Sequence, residues 1–243
     1  MNWQEQYQIL KEALTTVHDV SEAEAMAALV VEHVGKKKLQ QLKQEIVSDE
    51  ETQQIDRILQ QLLTHRPLQY VLNEAWFYGL KFEVNESVLI PRPETEELVE
   101  WIVKEVKSEK KSTKYEVGST ASPLTTHHLP FTILDIGTGS GCIPIALKKN
   151  LPESEVSAID VCSEALHTAT TNAINNEAEI NFQLLDFLDE SKWDQLGRYD
   201  IIASNPPYIK TTEANTMSKH VLEFEPHQAL FVPDEDALLF YRK

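Results

Sequence analysis

Residues 131–142 read FTILDIGTGSGC: a short apolar run, an aspartate, then the alternate glycines Gly137, Gly139 and Gly141. The run predicts a strand and the following CIPIALKK a helix, so the glycines occupy a strand-to-helix turn. Three of the chain's seven glycines fall in this turn, where the missing Cβ lets the backbone turn tightly and approach a ligand. The spacing is G-x-G-x-G. A dinucleotide fingerprint needs its third glycine one position later, where Cys142 stands, and a P-loop needs a Gly-Lys-Ser/Thr that is absent.

Downstream, EVSAID, FQLLD and YDIIASNPPY are further strand patterns, so that successive strands end at Asp135, Asp160, Asp186 and about Asn205. Ends spaced 25, 26 and 19 residues apart have the rhythm of strand–helix units in a parallel sheet, which binds ligands outside the carboxyl ends of its strands. Asp160 is placed to accept hydrogen bonds from both hydroxyls of a ribose. Asp186 and Phe187 offer an acceptor for an exocyclic amine and an aromatic face for adenine; a helix N-cap and a core aromatic read equally well from this pair alone. The sharpest signal is Asn205-Pro206-Pro207-Tyr208. Two prolines pre-organise the turn, so the Asn205 carboxamide and a main-chain carbonyl face a pocket as a planar set suited to an amide or amino nitrogen. An amide nitrogen is a poor nucleophile because its lone pair is delocalised. Acceptors on its two hydrogens return electron density to it, and a sulfonium methyl held in line is a matching electrophile, with no strong base required.

The first 64 residues carry helical periodicity, from Trp3, Tyr7, Leu10, Leu14 and Val17 to Ile55, Ile58, Leu59, Leu62 and Leu63, which predicts a bundle of about four helices. Ser21–Glu24 and Ser48–Glu51 have capping-box spacing, and Lys36, Lys37 and Lys38 follow Gly35 at an expected helix end. Arg66-Pro67 stops the pattern. Residues 76–90 then alternate as two strands around Asn85-Glu86, a linking hairpin, and Pro93 opens a helix expected to reach about Lys107. Residues 108–130 turn to Lys, Ser, Thr and Gly and read as an inserted surface loop, in which His127-His128 has no further ligand at metal spacing. The expected organisation is a helical bundle over 1–65, linker and hairpin over 66–92, and an α/β domain over 93–243.

At 243 residues and 42% hydrophobic content the chain buries a real core. A formal net charge of −17 opposes non-specific binding to a phosphate backbone. Two cysteines, Cys142 and Cys162, are too few for a disulfide scaffold and lack metal spacing, which fits a reducing cytoplasm. An apolar leader and an 18-residue apolar run are both missing, so secretion and membrane spanning are not expected.

DIGTGSGC, AID, LLDF and SNPPYI together resemble the class I S-adenosylmethionine-dependent methyltransferases acting on planar nitrogens, a doubly wound, Rossmann-like α/β fold. Within them, RPLQYVLNEAWFYGLKFEVNESVLIPRPETEELVE is similar to the hairpin and signature of the peptide chain release factor glutamine methyltransferases, and IPRPET separates these from ribosomal-protein glutamine methyltransferases. The resemblance implies N5-methylation of the glutamine in the GGQ motif of bacterial class 1 release factors by a cytoplasmic monomer, with the helical front domain recognising the release factor. It implies S-adenosylmethionine binding by Gly137, Thr138, Gly139, Ser140, Gly141, Asp160, Asp186, Phe187 and Asn205, and a substrate and catalytic site at Asn205, Pro206, Pro207 and Tyr208, without metal. The family's sheet has seven strands. Only four are legible here before the chain ends at Ala237–Lys243, so an open edge on the fourth strand and a C-terminal truncation are expected. Two other readings stand beside this one: an adenine-N6 nucleic-acid methyltransferase, whose substrate amine suits N-P-P-Y equally but which the net charge opposes, and a truncated form that binds without turnover.

Overall fold

The computed structural model describes residues 1–113 and 130–243, which divide into two compact units: Met1–Asn73 with Ser218–Phe224, and Glu74–Met217 with Glu225–Lys243. Among the described residues no helix is long and apolar enough to cross a membrane.

In the first unit, α1 (Trp3–Leu14), α2 (Val20–Gly35), a single turn α3 (Leu39–Leu42), α4 (Asp49–Leu62) and the short α5 (Leu68–Leu72) follow one another. Their apolar stripes meet in a core of Trp3, Leu10, Leu14, Val30, Ile55 and Leu62, each at most 2% exposed. Capping sets the helix starts. Ser48 and Glu51 form the expected box at α4, and Asn2 with Glu5 forms one at α1. Ser21–Glu24 does not: α2 opens earlier, at Asp19, whose carboxylate accepts the Glu22 N–H at 2.9 Å and the Ser21 hydroxyl at 2.7 Å. A carboxylate reaching the third helical N–H supersedes the serine two residues on. Lys36, left-handed at φ 54°, ends α2, while Lys37 and Lys38 pair with Glu45 and Glu32 rather than serving the helix dipole alone.

The second unit begins with a hairpin, β1 (Ala75–Phe77) and β2 (Leu80–Phe82). Its turn is Tyr78-Gly79, with φ of 50° and 74°, and not Asn85-Glu86 as the alternation suggested. Two successive positive φ angles give the turn whose twist suits a two-residue hairpin. Asn85 instead caps a turn of its own, accepting the Ser87 N–H at 2.9 Å, and residues 83–92 are not strand. The helix opened by Pro93, α6 (Pro93–Thr113), runs past the expected Lys107 and takes in the start of the expected 108–130 insertion; residues 114–129 of it, with His127-His128, lie outside the described residues.

Next come β3 (Thr132–Ile136), α7 (Cys142–Asn150), β4 (Glu155–Asp160), α8 (Ser163–Asn175), β5 (Asn181–Leu184) and β6 (Ile201–Ser204). The four strands form one parallel sheet in the order β5-β4-β3-β6. Ile136 pairs with both Ile159 and Ser204, which brings three carboxyl ends level. Strand alternation divides the core: Ile133, Val156 and Ala203 pack with Val99 and Val103 of α6 and Ile145 of α7, while Leu134, Ile136, Ile159 and Leu185 form a second cluster with Phe187, Leu196 and Tyr199. β6 stands at a sheet edge, with Ile202 62% exposed. Beyond it, β7 (Ile209–Lys210) and β8 (Phe231–Val232) form a two-stranded parallel sheet unforeseen in the sequence; between them in the chain lies α9 (Lys219–Phe224), part of the first unit.

Asp135 is fully buried at the end of β3, and neither carboxylate oxygen has a hydrogen-bond partner. Burial, helped by the Asp160 charge, pushes its pKa up to about 7; the Thr138 hydroxyl favours the charged form without completing a hydrogen bond. A raised carboxyl means that the folded chain holds a proton which the unfolded chain has lost. Its contribution to stability is therefore complete below pH ~4 and disappears as pH rises through about 7. Thermal denaturation between pH 4 and 8 should show this decline in the native chain and a flatter profile in Asp135→Asn; parallel profiles would contradict the assignment.

Candidate active site

The carboxyl ends of β3, β4, β5 and β6 open onto a cavity of about 500 Å³, within the range of small-molecule sites. It lies where connections leave β3 towards β4 on one side while β6 pairs on the other, the usual ligand position in such sheets.

The glycine turn forms one wall. Gly137 and Thr138 donate their N–H groups to the Ile159 carbonyl at 2.9 and 3.0 Å, which ties the turn to β4. Gly137, Gly139 and Gly141 all have positive φ, at 72°, 54° and 78°. Their surroundings differ. A Cβ added to Gly137 or Gly139 would meet nothing within 4 Å, so the backbone there faces open space, and both residues border the cavity with Thr138 and Ser140. A Cβ on Gly141 would come within 3.1 Å of Ala169 and Ile145. Gly141 does not border the cavity; it lets α7 and α8 pack closely.

Asp160 is half-buried on the wall, one oxygen accepting the Gly139 N–H at 2.8 Å and the other the Cys162 N–H at 2.9 Å. Each oxygen has two acceptor sites, so the carboxylate can still receive two hydroxyls. Asp186 accepts the Leu188 N–H at 2.9 Å, and Phe187 is stacked on Trp193 with ring centroids 5.4 Å apart, while the Trp193 Nε1–H donates to the Phe187 carbonyl at 2.9 Å. Asp186 is not the helix N-cap that the sequence also allowed, since the helical turn Glu190–Gln195 is capped by Asp189; it serves a local turn, Phe187 packs on the core, and both line the cavity. This wall fits the cofactor: open backbone, a carboxylate with spare acceptor capacity and an aromatic face. Cys142 borders the same cavity, but burial pushes its thiol up to about 12, which leaves it an inert apolar group.

Asn205, Pro206 and Pro207 border the same cavity from the end of β6, the strand next to β3. Ser204 prepares their position by donating its hydroxyl to the Ile136 carbonyl at 2.7 Å. Asn205 Nδ2 donates to Thr95 Oγ1 at 3.2 Å, a contact that does not use Oδ1. Tyr208 is 58% exposed and does not border the cavity. The structure therefore brings together every sequence-predicted residue except Gly141 and Tyr208.

Three further residues were not singled out from the sequence. Thr95 and Arg92 line the cavity, Arg92 forming a two-oxygen contact with buried Glu225 at 2.7 and 2.8 Å. Glu225 is 133 residues from Arg92, and Asn205 is 110 from Thr95, separations beyond any local pattern. Asp135, below the turn, was read only as a strand end.

The chain is similar to known proteins over nearly its whole length. Residues 8–72 match the PrmC N-terminal domain and residues 104–230 the methyltransferase small domain. The release factor glutamine methyltransferase of Flavobacterium psychrophilum is 45% identical over 235 residues, 96% of this chain and 76% of that protein. The protein of the same name from Streptococcus pneumoniae is 44% identical over 83% of this chain and 63% of its own length. Among solved structures, a SAM dependent methyltransferase from Agrobacterium tumefaciens aligns with a TM-score of 0.38 at 19% identity, over 55% of this chain and 39% of that one. On the sequence matches and on the parallel sheet with its glycine turn, the chain belongs to the release factor glutamine methyltransferase family, enzymes of the class I S-adenosylmethionine-dependent fold.

Proposed function

We propose that this cavity methylates the side-chain amide nitrogen, N5, of the glutamine in the GGQ motif of bacterial class 1 peptide chain release factors. The single observation that carries the reading is that Asn205–Pro207 line the same cavity as the Gly137–Ser140 turn and Asp160. In this reading Gly137, Thr138, Gly139, Ser140, Asp160, Asp186 and Phe187 hold S-adenosylmethionine, and Gly141 supports the turn from behind. Asn205, Pro206 and Pro207 hold the glutamine amide, and Tyr208 meets the substrate at the exposed rim.

The cofactor supplies an electrophilic methyl group on a positively charged sulfur. Asn205 Oδ1 and a main-chain carbonyl of the proline turn accept the two amide hydrogens, which raises electron density at the nitrogen and holds its lone pair in the line of transfer. With S-adenosylmethionine held by the glycine turn, Asp160 and Phe187, transfer to the positioned amide would exchange a sulfur–carbon bond for a nitrogen–carbon bond, and the amide's surplus proton would leave to solvent. Orientation of this kind lowers a barrier by about 7–11 kcal/mol at best. The reading asks for no strong base: the carboxylates bordering the cavity, Asp160 and Asp186, belong to the cofactor wall and accept main-chain N–H groups there. Such a site suits an amide whose acidity grows only as it is methylated.

The front helical unit, which matches the PrmC N-terminal domain, is the proposed release factor contact. The net charge of −17 supports a protein substrate over DNA, and the two free cysteines support a cytoplasmic setting, where the chain would act as a monomer.

Asn205→Ala should lower methyl transfer to a release factor by about a hundredfold while S-adenosylmethionine affinity, measured by calorimetry, stays within about threefold. Undiminished transfer would overturn the role of Asn205, and transfer to DNA in a parallel assay would overturn the substrate. Gly139→Ala should weaken cofactor binding by about tenfold or more, since its Cβ enters the open side of the turn. Gly141→Ala should chiefly lower the melting temperature; the reverse pattern would contradict the two assignments.

A further inference from the structure

Two long-range contacts start from a single turn at the beginning of α6. Arg92 holds Glu225, which is buried and accepts with both oxygens, and three residues later Thr95 accepts the Nδ2–H of Asn205 at 3.2 Å. The turn is closed by the Thr95 N–H donating to the Arg92 carbonyl at 3.0 Å. Thr95 is itself buried, and α6 is seated in the core through Val99, Val103 and Val106. The Thr95 hydroxyl thus has a rigid base, whereas Asn205 sits just past the end of β6 on an irregular turn.

A carboxamide has two ends of nearly equal shape and opposite chemistry; a hydroxyl can pair with either, so the Thr95 contact anchors the side chain and the N–H of an incoming amide selects the acceptor end to face it. Here the donor end pairs with Thr95, which leaves the acceptor end for the cavity. Turned over, Asn205 would present N–H to the N–H of an incoming amide, donor against donor. We propose that Thr95 is a positioning residue of the methyl transfer: its hydroxyl holds Asn205 with Oδ1 towards the glutamine amide. The inference rests on the reading of the cavity as a glutamine amide site.

The test uses the full chain with Thr95→Val, which keeps the shape and removes the hydroxyl, and Thr95→Ser, which keeps it. The valine variant should lose about tenfold in kcat on a release factor, with the KM for S-adenosylmethionine and the melting temperature near native. The serine variant should restore kcat. Selective ¹⁵N-asparagine labelling reads the contact without turnover: the Asn205 side-chain NH₂ signals should shift and exchange faster in Thr95→Val but not in Thr95→Ser. Should valine unfold the chain, Thr95→Ala takes its place in both measurements. Native kcat and unchanged Asn205 signals in the valine variant would overturn the proposal, as would equal losses in both variants, which would mean that packing alone matters. A native chain that binds S-adenosylmethionine yet leaves the glutamine unmodified would instead overturn the underlying reading, and this role with it.

Discussion

Three left-handed backbone positions within five residues, Gly137, Gly139 and Gly141, turn the chain from β3 into α7, and the cofactor side of the cavity takes its place from that turn. A side chain with a Cβ pays about 1–2 kcal/mol in this conformation, so the turn belongs to glycine. Once made, it hangs from β4 by the two N–H groups that reach the Ile159 carbonyl, and it offers the Gly139 N–H to Asp160. The carboxylate is fixed by the turn as much as the turn by the carboxylate. Gly141 then allows α7 to lie close to α8, so the outer glycine serves packing while the inner two leave space for a ligand.

The parallel register carries this arrangement across the sheet. Ile136 stands level with Ile159 and with Ser204, so Asn205 begins where the glycine turn begins, one strand away. The proposed chemistry follows from the two groups of residues: backbone, carboxylate and aromatic groups for the cofactor, and the Asn205 carboxamide with the proline turn that follows it for the amide. Asp135 lies beneath, its pKa pushed by burial up to about 7.

Much of the second unit was legible because its strands are apolar runs separated by helical ones, with a polar residue at each carboxyl end. The Gly137–Gly141 turn and Asn205–Tyr208 stood out because glycines and paired prolines constrain the backbone wherever they occur. Other features were hidden for stated physical reasons. The hairpin turn lies at Tyr78-Gly79, and a tyrosine at positive φ carries no sequence signal, whereas Asn85-Glu86 carries the signal of a turn that closes no hairpin. β7 and β8 are two residues each and exist only through their mutual pairing. The start of α2 was misread because Asp19 and Ser21 both qualify as caps and only the carboxylate reaches the right N–H. Thr95 and Arg92 were read as part of a signature, but their partners lie more than a hundred residues away and depend on the finished fold.

The central claim is that the two groups of residues lining this cavity bring a methyl donor and a glutamine amide together. Mass spectrometry of the GGQ peptide from a bacterial class 1 release factor, after incubation with this chain and S-adenosylmethionine, tests it most directly. The account predicts one added methyl group on the glutamine side chain and none on the flanking glycines or elsewhere in the peptide. An unmodified glutamine under conditions where cofactor binding is demonstrated, or a methyl group placed on another residue, would contradict it.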